Sequence, residues 1–508
     1  MLKNKIKLNY YVLIISFINL VLYHLPLFKF ATDNLDYESL DGVLTLASLA
    51  VLLLILNALI FYIWLFTSNF LGKFLLLLFL NINAIGLYFI NTYGVIIDKT
   101  MIGNILNTNV EESTSFLSLG LFLYVILLGI IPGILIINIQ FSTVKFKTFL
   151  SHTFLTFIFV LTFIYINSSS WLWIDKHSKS LGGMVMPWSY IVNTSRFYLH
   201  KNEEKKQEIL LPNTTLLDRK KSIFVLVIGE SARSKNFSLY GYEKNTNPLL
   251  SNINNIYSYQ AKSCATYTTA GVKCILDHKE TRDLYETLPN YLYRNDVDVI
   301  WRTTNWGEPK VTIDNYLKRI DLEELCKGNG CAYDELLLSG LSAQLLSSNK
   351  DKILLILHTS TSHGPTYYKK YPERFKEFTP VCENVELGKC TQEELINAYD
   401  NTILYTDYIL ATLIKQLKQL DGYTSSMFYV SDHGESLGEN NLYMHGIPSS
   451  IAPEEQLEIP FIVWLSDNSS KELKKTKRLS QHNVFHSVLD FLALDSAIYD
   501  KEMSVFKN

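Results

Sequence analysis

The chain has 508 residues, too long for one compact core and suited to about two or three domains. Hydrophobic residues make up 48% of it and charged residues 19%, below the roughly 25% of an ordinary soluble protein. A formal net charge of −3 excludes a strongly basic polyanion-binding surface, so no nucleic-acid partner is expected.

The apolar excess is concentrated before Asn167, and five long apolar stretches stand out there: 10–28, 43–66, 74–89, 116–139 and 149–166. A helix needs about 20 mostly apolar residues to cross a bilayer core, so each is a predicted span. The third is short and interrupted by Asn81 and Asn83; it is expected to continue to Tyr93. The flank Phe28-Lys29-Phe30-Ala31-Thr32 lacks a small-x-small cleavage pattern, so the first stretch reads as a span and not a removed leader.

Lysines orient the spans. Lys3, Lys5 and Lys7 precede the first, Lys73 lies between the second and third, and Lys145 and Lys147 lie between the fourth and fifth. These belong on the cytoplasmic side, with Asp33, Asp36, Glu38, Asp41, Asp98, Glu111 and Glu112 in the opposite loops. An odd number of crossings then leaves everything after about Ser168 outside. In the loop after the third span, Asn104, Thr108 and Glu112 follow a helical repeat and would share one face of a helix around 98–114. Periodicity alone makes that an interfacial helix with a polar face.

Residues 169–220, including a charged run at 202–207, read as a bridge. From 221 to 508 the pattern changes to short β-branched runs at 223–228, 297–301, 353–357, 427–430 and 460–464, with helical stretches such as 393–417 between several of them. That alternation predicts an α/β domain around a largely parallel sheet. All six cysteines, Cys264, Cys274, Cys326, Cys331, Cys382 and Cys390, lie in this part. Three close pairs read as disulfides formed in an oxidising compartment, neighbour pairing being the economical arrangement; the absence of CxxC argues against a structural zinc site.

Open α/β sheets place their sites beyond the carboxyl ends of the strands. Past the first run comes Gly229-Glu230-Ser231-Ala232-Arg233, past the third come His358 and Ser362-His363-Gly364-Pro365, and past the fourth comes Ser431-Asp432-His433-Gly434-Glu435-Ser436, with His445 following. Asp, Glu and His are the mixed ligands zinc accepts, and a fourth position is left for a nucleophile or substrate. The hydroxyl-rich segment between Cys264 and Cys274 offers Thr266, Thr268 and Thr269, any of which metal coordination could activate. The chemistry of the residues does not choose among them.

At these residues the chain resembles the phosphoethanolamine transferases of Gram-negative inner membranes, within the alkaline-phosphatase and sulfatase-like superfamily. The resemblance spans nearly the whole chain and includes Asn236-Phe237-Ser238-Leu239, Asn245-Thr246-Asn247-Pro248, Ile396-Asn397-Ala398-Tyr399-Asp400-Asn401 and the run from Tyr429 to Asn440. It implies a five-helix membrane domain over 1–168 and a periplasmic zinc-dependent catalytic domain over 221–508. It also implies Thr268 as nucleophile and Glu230, Thr268, Asp432 and His433 as ligands of one tight zinc. His363 and His445 would handle the phosphoethanolamine group or a second zinc during turnover. Asn104, Thr108 and Glu112 would help hold the donor's head group. The implied disulfides are Cys264–Cys274, Cys326–Cys331 and Cys382–Cys390. The implied partners are a phosphatidylethanolamine donor, a lipid A or other envelope-glycan acceptor, and the surrounding membrane lipid. The stretch 302–309 departs from the lipid A-modifying members, which carry a more polar segment with a lysine there. Related readings are a hydrolase of the same superfamily, a phosphoglycerol transferase, or a non-catalytic membrane sensor; the last predicts that Thr268→Ala leaves function intact.

Overall fold

The computed structural model describes residues 5–108, 110–203, 208–281, 283–475 and 478–507. Lys3 and residues 204–207 of the charged run lie outside them. The chain forms two compact units, Met1–His200 and Lys201–Asn508.

In the N-terminal unit the first apolar stretch is not one straight helix. It forms α1 (Leu8–Tyr23) and α2 (Leu25–Asn34), bent by 62° at His24. Pro26 sits in the first turn of α2, where its missing N–H cannot continue the ladder of α1. The remaining spans follow the expected runs: α3 (Leu40–Thr67), α4 (Asn69–Tyr93), α7 (Leu119–Asn138) and α8 (Phe146–Ile166). Local capping sets their ends. Ser39 accepts a hydrogen bond from Gly42 N to start α3, Ser68 accepts from Leu71 N to start α4, and Gly94 closes α4 in the left-handed region. Within α7 the turn Val125–Ile130 is π-helical, just ahead of Pro132.

The predicted single helix around 98–114 is instead two, α5 (Lys99–Asn107) and α6 (Val110–Ser115). Asp98 caps α5 through Met101 N, but Thr108 is extended and donates both its N–H and its hydroxyl to the carbonyl of Asn104. That local bond competes with helix continuation, so Asn104 lies on α5, Thr108 closes it, and Glu112 belongs to α6. Three more helices follow, α9 (Ser168–Lys176), α10 (Ser178–Met184) and α11 (Trp188–Glu203).

The C-terminal unit is built on an eight-stranded sheet. Its strands are β1 (Ser222–Gly229), β2 (Ile256–Lys262), β3 (Asp298–Thr303), β4 (Asn315–Leu317), β5 (Lys352–His358), β6 (Thr424–Ser431), β7 (Glu458–Leu465) and β8 (Arg478–Ser480). Their order is β8-β2-β7-β6-β1-β5-β3-β4, parallel throughout except on both sides of β7. Every residue of β1 and β5 is buried, as central parallel strands covered on both faces require. Three helices matter to the site: α12 (Thr268–Leu276), α13 (Gln392–Leu417) and α14 (Asn483–Phe491). Helix α13 starts at a capping box between Thr391 and Glu394. Phe224, Leu226 and Ile228 of β1 share a core with Val272 and Ile275 of α12 and with Phe485 and Val488 of α14. The cysteines pair as Cys264–Cys274, Cys326–Cys331 and Cys382–Cys390.

Candidate active site and metal centre

Central strands β1 and β6 run side by side, with Gly229 opposite Ser431, so the turns that follow them are neighbours. Glu230 leaves β1 and Asp432 and His433 leave β6; all three are buried. Ser231 turns the chain in the left-handed region at φ 51°, a conformation that costs a serine about 1 kcal/mol or more. Its backbone N–H donates to Asp432 Oδ1 at 3.0 Å, its hydroxyl donates to Glu230 Oε1 at 2.6 Å, and its carbonyl accepts from the Tyr399 hydroxyl at 2.7 Å. Those bonds hold the strained turn in place.

Thr268 is the first residue of α12, and its Oγ1 lies 3.3 Å from Glu230 Oε2 and 3.4 Å from His433 Nε2. The N–H groups of that helix start, which have no carbonyl partner within the helix, favour negative charge developing there. Thr266 is tied elsewhere: its hydroxyl donates to the carbonyl of Ile447 at 2.6 Å. Geometry thus distinguishes two threonines that the sequence chemistry left equivalent. Two glycines allow the close approach. A Cβ at Gly271 would lie 2.3 Å from the carbonyl oxygen of Asp432, so only glycine lets α12 pack onto that turn. Gly307, at φ 93°, brings the segment after β3 over Thr268, where a Cβ would meet Thr268 Cγ2 at 3.2 Å.

The donor set fits a divalent cation. His433 Nδ1 donates to the carbonyl of Gly434 at 2.9 Å, which leaves the lone pair on Nε2. That lone pair faces oxygens of Asp432 at 3.3 Å and Glu230 at 3.5 Å, a repulsive grouping that a bound cation, or a proton kept on Asp432, relieves. Asp432 Oδ2 is buried and has no hydrogen-bond partner among the described residues. Burial, with His445 alongside, lowers His433 to about 3, so its imidazole is neutral and able to act as a ligand. Burial and the neighbouring Glu230 charge push the Asp432 carboxyl well above its usual range. Burial also opposes ionisation of Glu230, but the imidazoles of His363, His433 and His445 outweigh it and hold that carboxyl low.

His445 and His363 come to the same place from separate loops. The rings of His433 and His445 are 4.2 Å apart and those of His363 and His445 are 5.8 Å apart. Ligand atoms of Glu230, His433 and His445 all lie within 4.8 Å of one another. His445 Nδ1 is 2.9 Å from Glu435 Oε2, and the Tyr367 hydroxyl donates to the other oxygen of Glu435 at 2.7 Å. His363 Nδ1 is 2.7 Å from the carbonyl of Gly364.

Three supporting residues had no role from the sequence. Asn305 donates to Glu230 Oε2 at 2.7 Å and to the carbonyl of Thr359 at 2.8 Å. It lies within the divergent stretch 302–309, so the divergence itself was the available signal. Glu435 sits inside the Asp432 motif but shows its purpose only when His445 folds back onto it. Gln481 bridges two parts of the site, accepting from Cys264 N at 3.0 Å and donating to the carbonyls of Ser431 at 3.0 Å and Asp432 at 2.7 Å. Nothing local marks Gln481.

An α/β sheet with a hydroxyl at a helix start and carboxylates and imidazoles beyond its carboxyl ends defines a metalloenzyme of the alkaline-phosphatase and sulfatase-like class. In agreement, the sulfatase family model matches residues 222–494. The model for phosphoethanolamine transferase EptA/EptB matches residues 49–202. The chain is 40% identical to phosphoethanolamine transferase EptA of Helicobacter pylori, over 98% of this chain and 96% of that one. It is 31% identical to the Escherichia coli K12 protein of the same name, over 96% and 94%. Among solved structures, the lipooligosaccharide phosphoethanolamine transferase A of Neisseria meningitidis superposes with a TM-score of 0.88 at 27% identity, over 99% of both chains. The chain belongs to the phosphoethanolamine transferase family: it is an integral membrane enzyme with a soluble C-terminal domain.

Proposed function

We propose that the chain transfers phosphoethanolamine from phosphatidylethanolamine to a lipid A or lipooligosaccharide acceptor through a covalent intermediate on Thr268. The observation that carries this reading is the placement of Thr268 Oγ1 at 3.3 Å from Glu230 and 3.4 Å from His433 at the start of α12. Glu230, Thr268, Asp432 and His433 would hold one zinc, with His363 and His445 available to the phosphoethanolamine group or to a second zinc during turnover. Bound there, zinc would make the threonine hydroxyl more acidic and offset charge on the phosphoryl oxygens.

In the first half-reaction Thr268 Oγ1 bonds to phosphorus and gives up its proton, while the bond from phosphorus to the diacylglycerol oxygen breaks and that oxygen takes a proton. In the second, an acceptor hydroxyl or phosphate oxygen attacks phosphorus in line and gives up any proton it carries, the bond from phosphorus to Thr268 Oγ1 breaks, and Oγ1 takes a proton. The N–H groups at the start of α12 stabilise the oxyanion formed in both steps. His445, oriented by Glu435, is assigned to proton exchange with the leaving and entering oxygens, and His363 to the phosphoryl oxygens.

The chain resides in a bacterial inner membrane with its N-terminus cytoplasmic and its catalytic domain periplasmic. Support comes from Lys5, Lys7, Lys73, Lys145 and Lys147 at one set of helix ends and from three disulfides in the soluble unit. Anchoring confines enzyme, donor and glycolipid acceptor to one surface, which raises their effective concentration. Asn104, Thr108 and Glu112 are assigned to the donor's head group. The test is mass spectrometry of lipopolysaccharide from a Gram-negative host expressing wild type or Thr268→Ala. A phosphoethanolamine-sized gain with the wild type alone supports the reading. No gain from an inserted, zinc-loaded wild type, together with no diacylglycerol release by the purified enzyme, overturns both acceptor and donor.

A further inference from the structure

Within the membrane unit, α1, α3 and α8 border a cavity of about 470 Å³, within the size range of ligand pockets. Val12, Ala58 and Phe159 form apolar wall, and Leu13, Leu155 and Phe159 at its edge are 44%, 61% and 50% exposed. Outward side chains of spanning helices face hydrocarbon, so the cavity opens sideways to lipid.

Its polar content is concentrated in one group. Asn9 Nδ2 and the Tyr62 hydroxyl each lie 3.2 Å from His152 Nδ1. An amide N–H₂ only donates, so Nδ1 is the acceptor and the imidazole proton resides on Nε2. His152 lines the cavity, and its Nε2 makes no hydrogen bond among the described residues. All three residues lie near the lysine-bearing helix ends. Asn9 follows Lys5 and Lys7, His152 follows Lys145 and Lys147, and Tyr62 lies in the last turns of α3. Asn9 lies in the first turn of α1, and His152 and Tyr62 lie one to two turns, about 5–10 Å, in from their helix ends. Ionisable groups are rare at such positions and mark binding or transport paths.

We propose that this cavity binds one anionic diacyl phospholipid from the leaflet on the lysine side. An acyl chain lies along Val12, Ala58 and Phe159, an ester carbonyl accepts from His152 Nε2, and the phosphate faces Lys7, Lys145 and Lys147. The site is separate from the transfer chemistry and does not rest on the reading above. If the polar triad served only to join three helices, filling the cavity would change nothing.

The experiment uses the full chain in detergent, titrated with phosphatidylglycerol or phosphatidylcholine and read by native mass spectrometry. Wild type, His152→Ala and Thr156→Trp are compared, the last filling the cavity while leaving the triad in place. Thermal unfolding checks that each variant folds. A photoreactive phosphatidylglycerol maps the contact by peptide. The wild type is expected to retain one phosphatidylglycerol, crosslinked to α1, α3 and α8, with about tenfold weaker retention in either variant. Equal retention by folded Thr156→Trp, equal retention of phosphatidylcholine, or crosslinks spread over α4 and α7 would overturn the proposal.

Discussion

Replacing Gly271 by alanine tests whether the approach of α12 to the Asp432 turn sets the position of Thr268, the proposed nucleophile. The added Cβ would stand 2.3 Å from the Asp432 carbonyl oxygen and 2.8 Å from its carbonyl carbon, both backbone atoms that no rotamer change can clear. Restoring ordinary contact at 3.4 Å requires a shift of about 1 Å between helix and turn, and misplacement on that scale costs about 10²-fold in rate. Thr268 begins the same helix, and its contacts at 3.3 and 3.4 Å leave almost no margin before hydrogen-bond reach is lost. Overpacking should also lower stability by about 1–3 kcal/mol. The assay is diacylglycerol release from phosphatidylethanolamine vesicles, with thermal unfolding and zinc content measured alongside. Gly182→Ala serves as control, because a Cβ there meets nothing within 4 Å. A folded Gly271→Ala enzyme within threefold of wild-type rate would refute the packing argument.

Asn305→Ala removes one side-chain donor to Glu230, and loss of such an outer partner should cost about 10–100-fold in zinc affinity or rate, read by zinc titration and kcat; unchanged values would show that Asn305 only closes the loop. Stripping zinc with a chelator should abolish transfer and lower the unfolding temperature. Readdition at about 100 times Kd should restore about 2.7 kcal/mol, and a chelated protein with unchanged unfolding would exclude a metal in this site. Asp407 on α13 accepts from Leu249 N and Leu250 N, yet burial pushes its carboxyl up to about 7. The folded chain therefore keeps a proton that the unfolded chain releases above about pH 4. The stability this group adds is full below pH 4, declines as pH rises to about 7, and is flat beyond. Unfolding temperatures from pH 4 to 8 should consequently fall less steeply in Asp407→Asn than in wild type; parallel profiles would contradict the assignment.

Much of the architecture is legible along the chain because its causes are local. Uninterrupted apolar runs mark the spans, and Ser68 and Gly94 mark where α4 begins and ends. The buried runs became β1, β3, β5, β6 and β7, while β2, β4 and β8 escaped notice: β2 is mostly exposed, and β4 and β8 have three residues each. Two details of the membrane unit have small causes: Pro26 bends the first span without interrupting it as a span, and the Thr108 hydroxyl ends α5 early, so the single helix expected around 98–114 is two.

The sequence by itself determined a membrane part joined to an α/β domain and the strand ends that carry Glu230, Asp432 and His433; the choice of Thr268 among three threonines was implied by the resemblance alone. Hydrophobic period and turn chemistry act over a few neighbouring residues and can be read there. Only the tertiary structure decided that Asn305 reaches Glu230, that Glu435 orients His445, and that Gln481 ties Cys264 to the Asp432 turn. Those contacts join residues far apart in the chain, and their geometry is set by sheet register and by the packing of α12 against the turn after β6.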